Sequence, residues 1–353
     1  MNLHSRKARL KNKDWKDIKN FFSSKERTLV VTHFSPDGDA VGSLLAMGGI
    51  LEYFQIPFVL AIDDPCPAKY SFIPGYDEIV NLKTDPIGTP YSRMIILDAG
   101  SMSRIGSAVQ CRDENTVILN IDHHYTGEKY GTLNLVDTDA VATAELLHDL
   151  IQFLKIPMTA QIACGLYVGI LTDTGRFRFS NTNAKAFRIC GDLVAFGINP
   201  SLVTENVFYN MQPEVLKSLS WSLSGLELHF NGMLSMLVLD YSHTVSDSQD
   251  FVEYGSSING VAISVFIHEI EPEVLRVSIR SRCRVNVSDI AKRLGGGGHL
   301  KAAGFRYDGT IADLKTCLLK EVRYEITRHG LAPGEPFLEM PPDTGSGLSE
   351  WVV

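Results

Sequence analysis

Three short apolar runs in the first half of the chain each end on a carboxylate, and this recurrence restricts the fold more than any other feature. Thr28-Leu29-Val30-Val31-Thr32 runs into His33-Phe34-Ser35-Pro36-Asp37-Gly38-Asp39. Met94-Ile95-Ile96-Leu97 ends on Asp98, and Val117-Ile118-Leu119-Asn120-Ile121 ends on Asp122-His123-His124. Short β-branched, apolar runs bounded by turn residues read as buried strands. Phe58-Val59-Leu60-Ala61-Ile62 is a further strand candidate. Helix-compatible stretches lie at residues 14–22, 44–54, 140–154, 162–171 and 184–196, and the fourth of these leads into Asp173. Strands alternating with helices predict an α/β chain with a doubly wound, mainly parallel sheet. The C-terminal ends of parallel strands share one edge, where such sheets bind ligands. The acids are therefore expected to converge there.

The turn at residues 33–43 places one imidazole and two carboxylates within seven residues. Pro36 fixes φ, and Gly38 is expected to supply positive φ. Asp37 and Asp39 stand where a helix N-terminus favours negative charge. Alone, the turn reads equally as a capped loop or as a metal site. Alone, Asp98 reads as a strand-end turn residue, and His123 and His124 as one buried and one surface histidine. Together with the Asp173 segment, these places supply four carboxylates (Asp37, Asp39, Asp98, Asp173) and two imidazoles (His33, His123) as candidate ligands. Two divalent ions sharing one carboxylate would use that set. Mixed imidazole and carboxylate donors favour Mn²⁺, with Mg²⁺ or Co²⁺ as substitutes, over thiolate-bound Zn²⁺.

At 353 residues, 44 % hydrophobic and 21 % charged, two domains are the default. Residues 1–199 form the α/β part and 200–225 a helical linker. Residues 226–332 form a smaller mixed α/β part, with the active site in the cleft between the two, and 333–353 a Pro/Gly-rich tail. Strands are expected at 232–239, 260–270 and 274–281, then a short helix at 287–294 with Ser288 as N-cap. Gly295-Gly296-Gly297-Gly298-His299 follows, whose free N–H groups could cradle an anion. From Arg276 to Lys301 seven Lys/Arg face one acid, Asp289, and strand alternation would set Arg280, Arg282 and Arg284 on one face. Such a face suits phosphate, with arginine as a bidentate clamp. The net charge of −8 argues against coating a long nucleic acid but allows a short phosphorylated substrate. The loop residues Arg176, Arg178 and 179–182 carry little weight, since polar loop residues are usually just solvated. Six scattered cysteines without a CxxC pair point to a reducing cytoplasm. No apolar run reaches bilayer-spanning length, and residues 1–19 lack the apolar core of a secretory signal.

His33-xxx-Asp37-x-Asp39, the strand-end Asp98, Asp122-His123-His124 and Asp173 resemble the four motifs of the DHH phosphoesterases. Arg280-Ser281 and the Gly295–His299 segment resemble their DHH-associated C-terminal domain. The resemblance covers residues 25–322. It is greatest to the subgroup of bifunctional oligoribonucleases and 3′-phosphoadenosine 5′-phosphate phosphatases. It implies His33, Asp37 and Asp98 on one metal and Asp39, Asp98, His123 and Asp173 on the other, with Asp98 bridging. It implies His124, beside Asp122, near the nucleophile or scissile phosphate, and Arg280, Ser281, Gly297, Gly298 and His299 at the substrate. It implies short RNA or a phosphorylated nucleotide as substrate, with no long nucleic acid, no membrane, and a homodimer left open. Competing readings are a cyclic or linear dinucleotide phosphodiesterase, a pyrophosphatase or long-strand exonuclease of the same family, a non-catalytic nucleotide-binding module, and a tRNA-recognition module.

Overall fold

A computed structural model describes residues 12–88, 90–124, 129–245, 248 and 250–332. The expected tail at 333–353 lies outside the described residues. The chain divides into two compact units, one up to Asn210 and one from Met211.

The first unit is built on a six-stranded sheet. Its strands are β1 (Thr28–Val31), β2 (Phe58–Ile62), β3 (Ile79–Asn81), β4 (Arg93–Leu97), β5 (Val117–Asp122) and β6 (Leu133–Val136), and every pairing is parallel. The spatial order is β3-β2-β1-β4-β5-β6. The chain runs outward from β1 through β2 to β3, then restarts at β4 on the other side of β1. The crevice between the ends of β1 and β4 is the switch point at which such sheets bind ligands.

Alternation along the strands sends Val30, Leu60, Ile95, Leu97, Leu119 and Ile121 to one face. There they meet α1 (Asn12–Phe21), α2 (Gly38–Tyr53), α3 (Thr143–Leu154), α4 (Ala160–Asp173) and α5 (Ala184–Phe196). Leu29, Val31, Met94 and Ile96 point to the other face. That face is covered by 3₁₀ turns across Met102–Cys111 through Ile105, Ala108 and Cys111. Helices α2 and α4 are buried all round, as their uniform apolarity requires. They cross backbone to backbone: a Cβ on Gly42 would lie 2.3 Å from the Gly165 carbonyl. Residues 200–223 form two helices, α6 (Pro200–Phe208) in the first unit and α7 (Pro213–Ser224) in the second.

The second unit holds a mixed sheet in the order β11-β12-β10-β9-β8-β7. Its strands are β7 (Glu227–His229), β8 (Leu234–Leu239), β9 (Ile263–Glu271), β10 (Val274–Ser281), β11 (Gly297–Gly298) and β12 (Ala302–Asp308). Among the described residues, only β8 and β9 pair in parallel, joined through α8 (Phe251–Ser256). Helices α9 (Val287–Arg293) and α10 (Ile311–Arg328) pack on one face, and α7 and α8 on the other. Among the described residues, no single helix is long and apolar enough to cross a membrane.

Two local expectations change. The N-cap of α9 is Asn286, whose side chain accepts from the Ser288 amide, and not Ser288, whose hydroxyl is buried. The glycine run is not an open anion cradle. Gly295 ends α9 at φ 87°, Gly296 lies against the Gly304 carbonyl, and Gly297 and Gly298 pair with β12.

Candidate metal centre

The turn after β1 is closed by its own carboxylate. Asp37 is the N-cap of α2, and its Oδ1 accepts from the amides of Asp39 (3.1 Å) and Ala40 (3.0 Å). The left-handed residue is Ser35, at φ 52°, not Gly38. Gly38 is required for a different reason: a Cβ there would stand 2.4–2.8 Å from the Thr172 side chain. The carboxylate of Asp64, just beyond β2, holds the turn through the Ser35 amide (2.8 Å) and hydroxyl (3.3 Å).

Asp98 follows β4 in left-handed backbone, φ 57°, with its amide on the Ile121 carbonyl (3.0 Å). Non-glycine residues take that conformation at a cost, and asparagine and aspartate take it most readily. The twist turns Asp98 into the switch-point crevice. Its two oxygens face opposite ways. Oδ2 lies 3.6 Å from His33 Nε2, and Oδ1 lies 3.5 Å from His123 Nε2. Thr143 Oγ1 donates to Oδ1 at 3.0 Å.

Asp39 is completely buried and bound to an element far along the chain. Its oxygens accept from the first amides of α3, Thr143 (2.6 Å) and Ala144 (2.9 Å), and from the Ser43 hydroxyl (3.1 Å). The helix dipole favours a carboxylate there, and Asp39 does the work of the side-chain cap that Ala142 cannot supply. His123 Nε2 stands 3.0 Å from Asp173 and 3.8 Å from Asp39. Asn181 Nδ2 ties the Asp173 carbonyl (3.0 Å) to the Val141 carbonyl (3.2 Å). His124 Nδ1 lies 2.7 Å from Asp122 Oδ1 and 3.6 Å from Asp98.

The first unit thus brings together His33, Asp37, Asp39, Asp98, Asp122, His123, His124 and Asp173. Donor atoms of His33, Asp37 and Asp98 fall within 4.8 Å of one another, and so do those of Asp39, His123 and Asp173, and those of Asp98, Asp122 and His124.

The charges are mutually unfavourable without a cation. Burial, then the neighbouring Asp39, Asp37 and Asp173, push Asp98 well above the usual carboxylate range. Burial and the Asp173 charge push Asp39 up to about 7, and burial raises Asp173. Burial would lower His123, but the hydrogen bond and charge of Asp173, with Asp39, push it up to about 10. Burial takes His33 down to about 4 against the pull of Asp37. Asp37 and Asp122 go below the usual range despite burial, through His33 and His124 respectively.

The donor chemistry fits divalent cations. His33 Nδ1 donates to the Phe34 carbonyl (2.8 Å) and His123 Nδ1 to the Ala140 carbonyl (3.2 Å). Each ring then turns the lone pair of Nε2 toward carboxylate oxygens, which also offer only lone pairs. A proton or a metal ion must lie between, and a carbonyl on the far nitrogen is the usual support for a ligating histidine.

The remaining predicted residues lie in the second unit. Arg280, in β10, donates from Nε to Glu253 (2.8 Å), and Arg282 donates to the Ser256 carbonyl (2.9 Å). Both are anchored to α8, so they do not form a free cationic face with Arg284. The buried Ser281 hydroxyl donates to the Cys283 carbonyl (3.1 Å). His299 begins the tight turn between β11 and β12, with its amide on the Ala302 carbonyl (2.7 Å).

Sequence reasoning missed Thr143, Ser43, Asp63, Asp64 and Arg104, and discounted Asn181. Asp63 and Asp64 follow β2 as Asp98 follows β4, so the strand-end rule could have found them. Asn181 lies in the 179–182 loop that was given little weight as solvated, whereas its side chain ties the Asp173 segment to Val141. Thr143 carried no signal, because only the tertiary fold brings it to the cluster.

The profile of the DHH family, N-terminal domain, matches residues 27–170, and that of the DHHA1 domain matches 233–327. The chain is 35 % identical over 306 residues to the bifunctional oligoribonuclease and PAP phosphatase NrnA of Thermus thermophilus, covering 85 % of this chain and 90 % of that one. It is 30 % identical to the Bacillus subtilis protein of the same name, covering 82 % and 93 %. A solved structure of an exopolyphosphatase-related protein from Bacteroides fragilis superposes with a TM-score of 0.83 at 22 % identity, covering 91 % and 98 %.

Proposed function

The chain belongs to the DHH family of phosphoesterases, with a DHHA1 domain behind the DHH domain, and from that premise we propose a two-metal, Mn²⁺-dependent hydrolase that cleaves short oligoribonucleotides to mononucleotides and converts 3′-phosphoadenosine 5′-phosphate to AMP. The observation that carries this reading is Asp98, whose two oxygens face two separate imidazole–carboxylate groups. His33 and Asp37 would hold one ion, Asp39, His123 and Asp173 the other, and Asp98 both. When bound, such ions supply positive charge to the phosphate oxygens and make the attacking water more acidic.

The chain's own residues orient and move protons. The α3 amides and Ser43 fix both oxygens of Asp39, and Thr143 fixes Asp98 Oδ1. Asp122, kept ionised by His124, holds that imidazole through Nδ1 and leaves Nε2 to hold or pass a proton at the phosphate or leaving group. We assign substrate contacts in the second unit to Arg280 and His299, with the Gly297–Gly298 backbone beside them. Ser281 joins them through its amide, which donates to the Lys301 carbonyl between β11 and β12 (2.9 Å). Glu253 holds the Arg280 guanidinium in place for a terminal phosphate.

The test is one Mn²⁺ assay on dinucleotides, a long oligonucleotide, cyclic di-AMP, pyrophosphate and 3′-phosphoadenosine 5′-phosphate. Turnover of the dinucleotides and of the bisphosphorylated nucleotide is expected to exceed the others. Preference for cyclic di-AMP, pyrophosphate or the long strand would replace this reading with the corresponding one. Arg280→Ala should raise KM for substrates with a terminal phosphate by about tenfold, as loss of a charge-assisted pair implies. An equal effect on a generic chromogenic phosphodiester counts against its role.

A further inference from the structure

We propose that Phe34 and Arg104 form a nucleotide-binding platform on the first unit, with the Phe34 ring stacking a nucleobase and the Arg104 guanidinium meeting its phosphate. This deepens the reading above and rests on it for the identity of the substrate.

Phe34 follows the candidate ligand His33 directly and is 39 % exposed. Single exposed apolar residues are common, so exposure alone assigns Phe34 no role. Phe34 is held on both sides. Its amide donates to the Arg104 carbonyl (2.9 Å), and the next residue, Ser35, is fixed by Asp64 in left-handed backbone. Lys83 in turn holds Asp64 at 2.6 Å. The ring is therefore presented to solvent by a braced turn at the edge of the acid cluster.

Arg104 gives the second, independent observation. Its guanidinium lies over the Phe34 ring, 5.2 Å from the centroid, and its Nη2 is 3.1 Å from His33 Nδ1. Its Nε is buried with no acceptor, and among the described residues no carboxylate lies within ion-pair distance of it. A cation beside the candidate ligand His33, with no carboxylate partner among the described residues, suits an anion that arrives with the substrate. Guanidinium groups match phosphate oxygens in a fork. With one ring face covered by the guanidinium, the open face suits a base, and stacking on an aromatic tolerates any base. Base and phosphate of one nucleotide are a single ribose apart, and the ring and guanidinium are in contact. Asp63 keeps the Arg104 segment in place by accepting from the Ser107 amide (3.0 Å) and hydroxyl.

The experiment compares binding of AMP and of ribose 5-phosphate to the full chain by titration calorimetry with Mn²⁺ present. Wild-type protein is expected to bind AMP about tenfold more tightly, the lower range of what one stacked base contributes. Phe34→Ala and Phe34→Leu should close that gap, and Phe34→Trp should keep it. Arg104→Gln should weaken both ligands by a similar factor, about tenfold, and leave the gap. Equal affinities in wild type, or a gap that survives Phe34→Ala, overturns the platform. Because the readout is binding, failure to hydrolyse dinucleotides would refute the functional reading without deciding this one. Thermal melting of each variant checks folding, which an exposed Phe34 should not disturb.

Discussion

Asp98 lies in left-handed backbone within a crowd of carboxylates, and both features raise the free energy of the folded chain. Asp98→Asn is therefore expected to do two opposite things. Mn²⁺-dependent turnover should fall more than about a hundredfold, since a shared ligand is lost. The metal-free melting temperature should hold or rise, since a buried charge is removed. Wild-type turnover in this variant would refute the shared-ligand role. The pH dependence has a definite sign. Asp39, with its folded pKa raised to about 7, is penalised increasingly as pH rises from the ordinary carboxylate value to 7. His123, raised to about 10, contributes stability that is complete below its unfolded pKa near 6.5 and lost as pH climbs to 10. His33, lowered to about 4, acts in the other direction and costs stability as pH falls from 6.5 toward 4. Chelator-treated protein should thus melt progressively lower between pH 7 and 9.5, with Mn²⁺ raising the melting temperature most at the alkaline end. A metal-free melting temperature that does not change over that window would contradict the charge balance described above.

Between elements, the close crossing of α2 and α4 sets the distance from Asp39 to Asp173. Gly42→Ala drives a methyl into the Gly165 carbonyl, which is backbone and cannot rotate away. It should cost about 2–3 kcal/mol in urea unfolding and weaken Mn²⁺ binding, in the range of overpacked cores. At α9, Asn286→Ala should cost about 1 kcal/mol and Ser288→Ala almost nothing, as only the former removes the cap. Equal costs would restore Ser288 as the cap. The strands were legible because β1, β4 and β5 are buried on both faces and so carry apolar runs that stop at a polar residue. The donors at their ends were legible for the same reason. The short β3 and β6 were not, since residues 79–81 are half-buried, 133–136 bury only Leu135, and neither carries an apolar run. Helix α10 did carry a signal, with Leu314, Leu318, Val322 and Ile326 spaced by four along its buried side. The left-handed placement at Ser35 rather than Gly38 could not be read, because a glycine needed for space and one needed for φ look identical in sequence.

Over the whole chain, each unit closes its own hydrophobic core, and all eight donors of the cluster belong to the first. Residues 1–210 expressed alone should accordingly bind Mn²⁺ within about tenfold of the full chain, while losing the preference for substrates with a terminal phosphate. Calorimetry and the substrate panel above would measure both. A fragment that folds yet binds no Mn²⁺ would place an essential donor beyond Asn210.

The bond from Asp39 to the head of α3 also has a bearing on how the protein is made. His33, Asp37 and Asp39 leave the ribosome early, but the amides that orient Asp39 follow 104 and 105 residues later. Asp173 and the Asn181 strap come later still. A nascent chain holding only the first turn has a loose pair of acids, no better than any other for an ion. Tight metal capture therefore reports that the first unit has finished folding, and a chain cut short before residue 181 should remain metal-free in a cell that contains the ion.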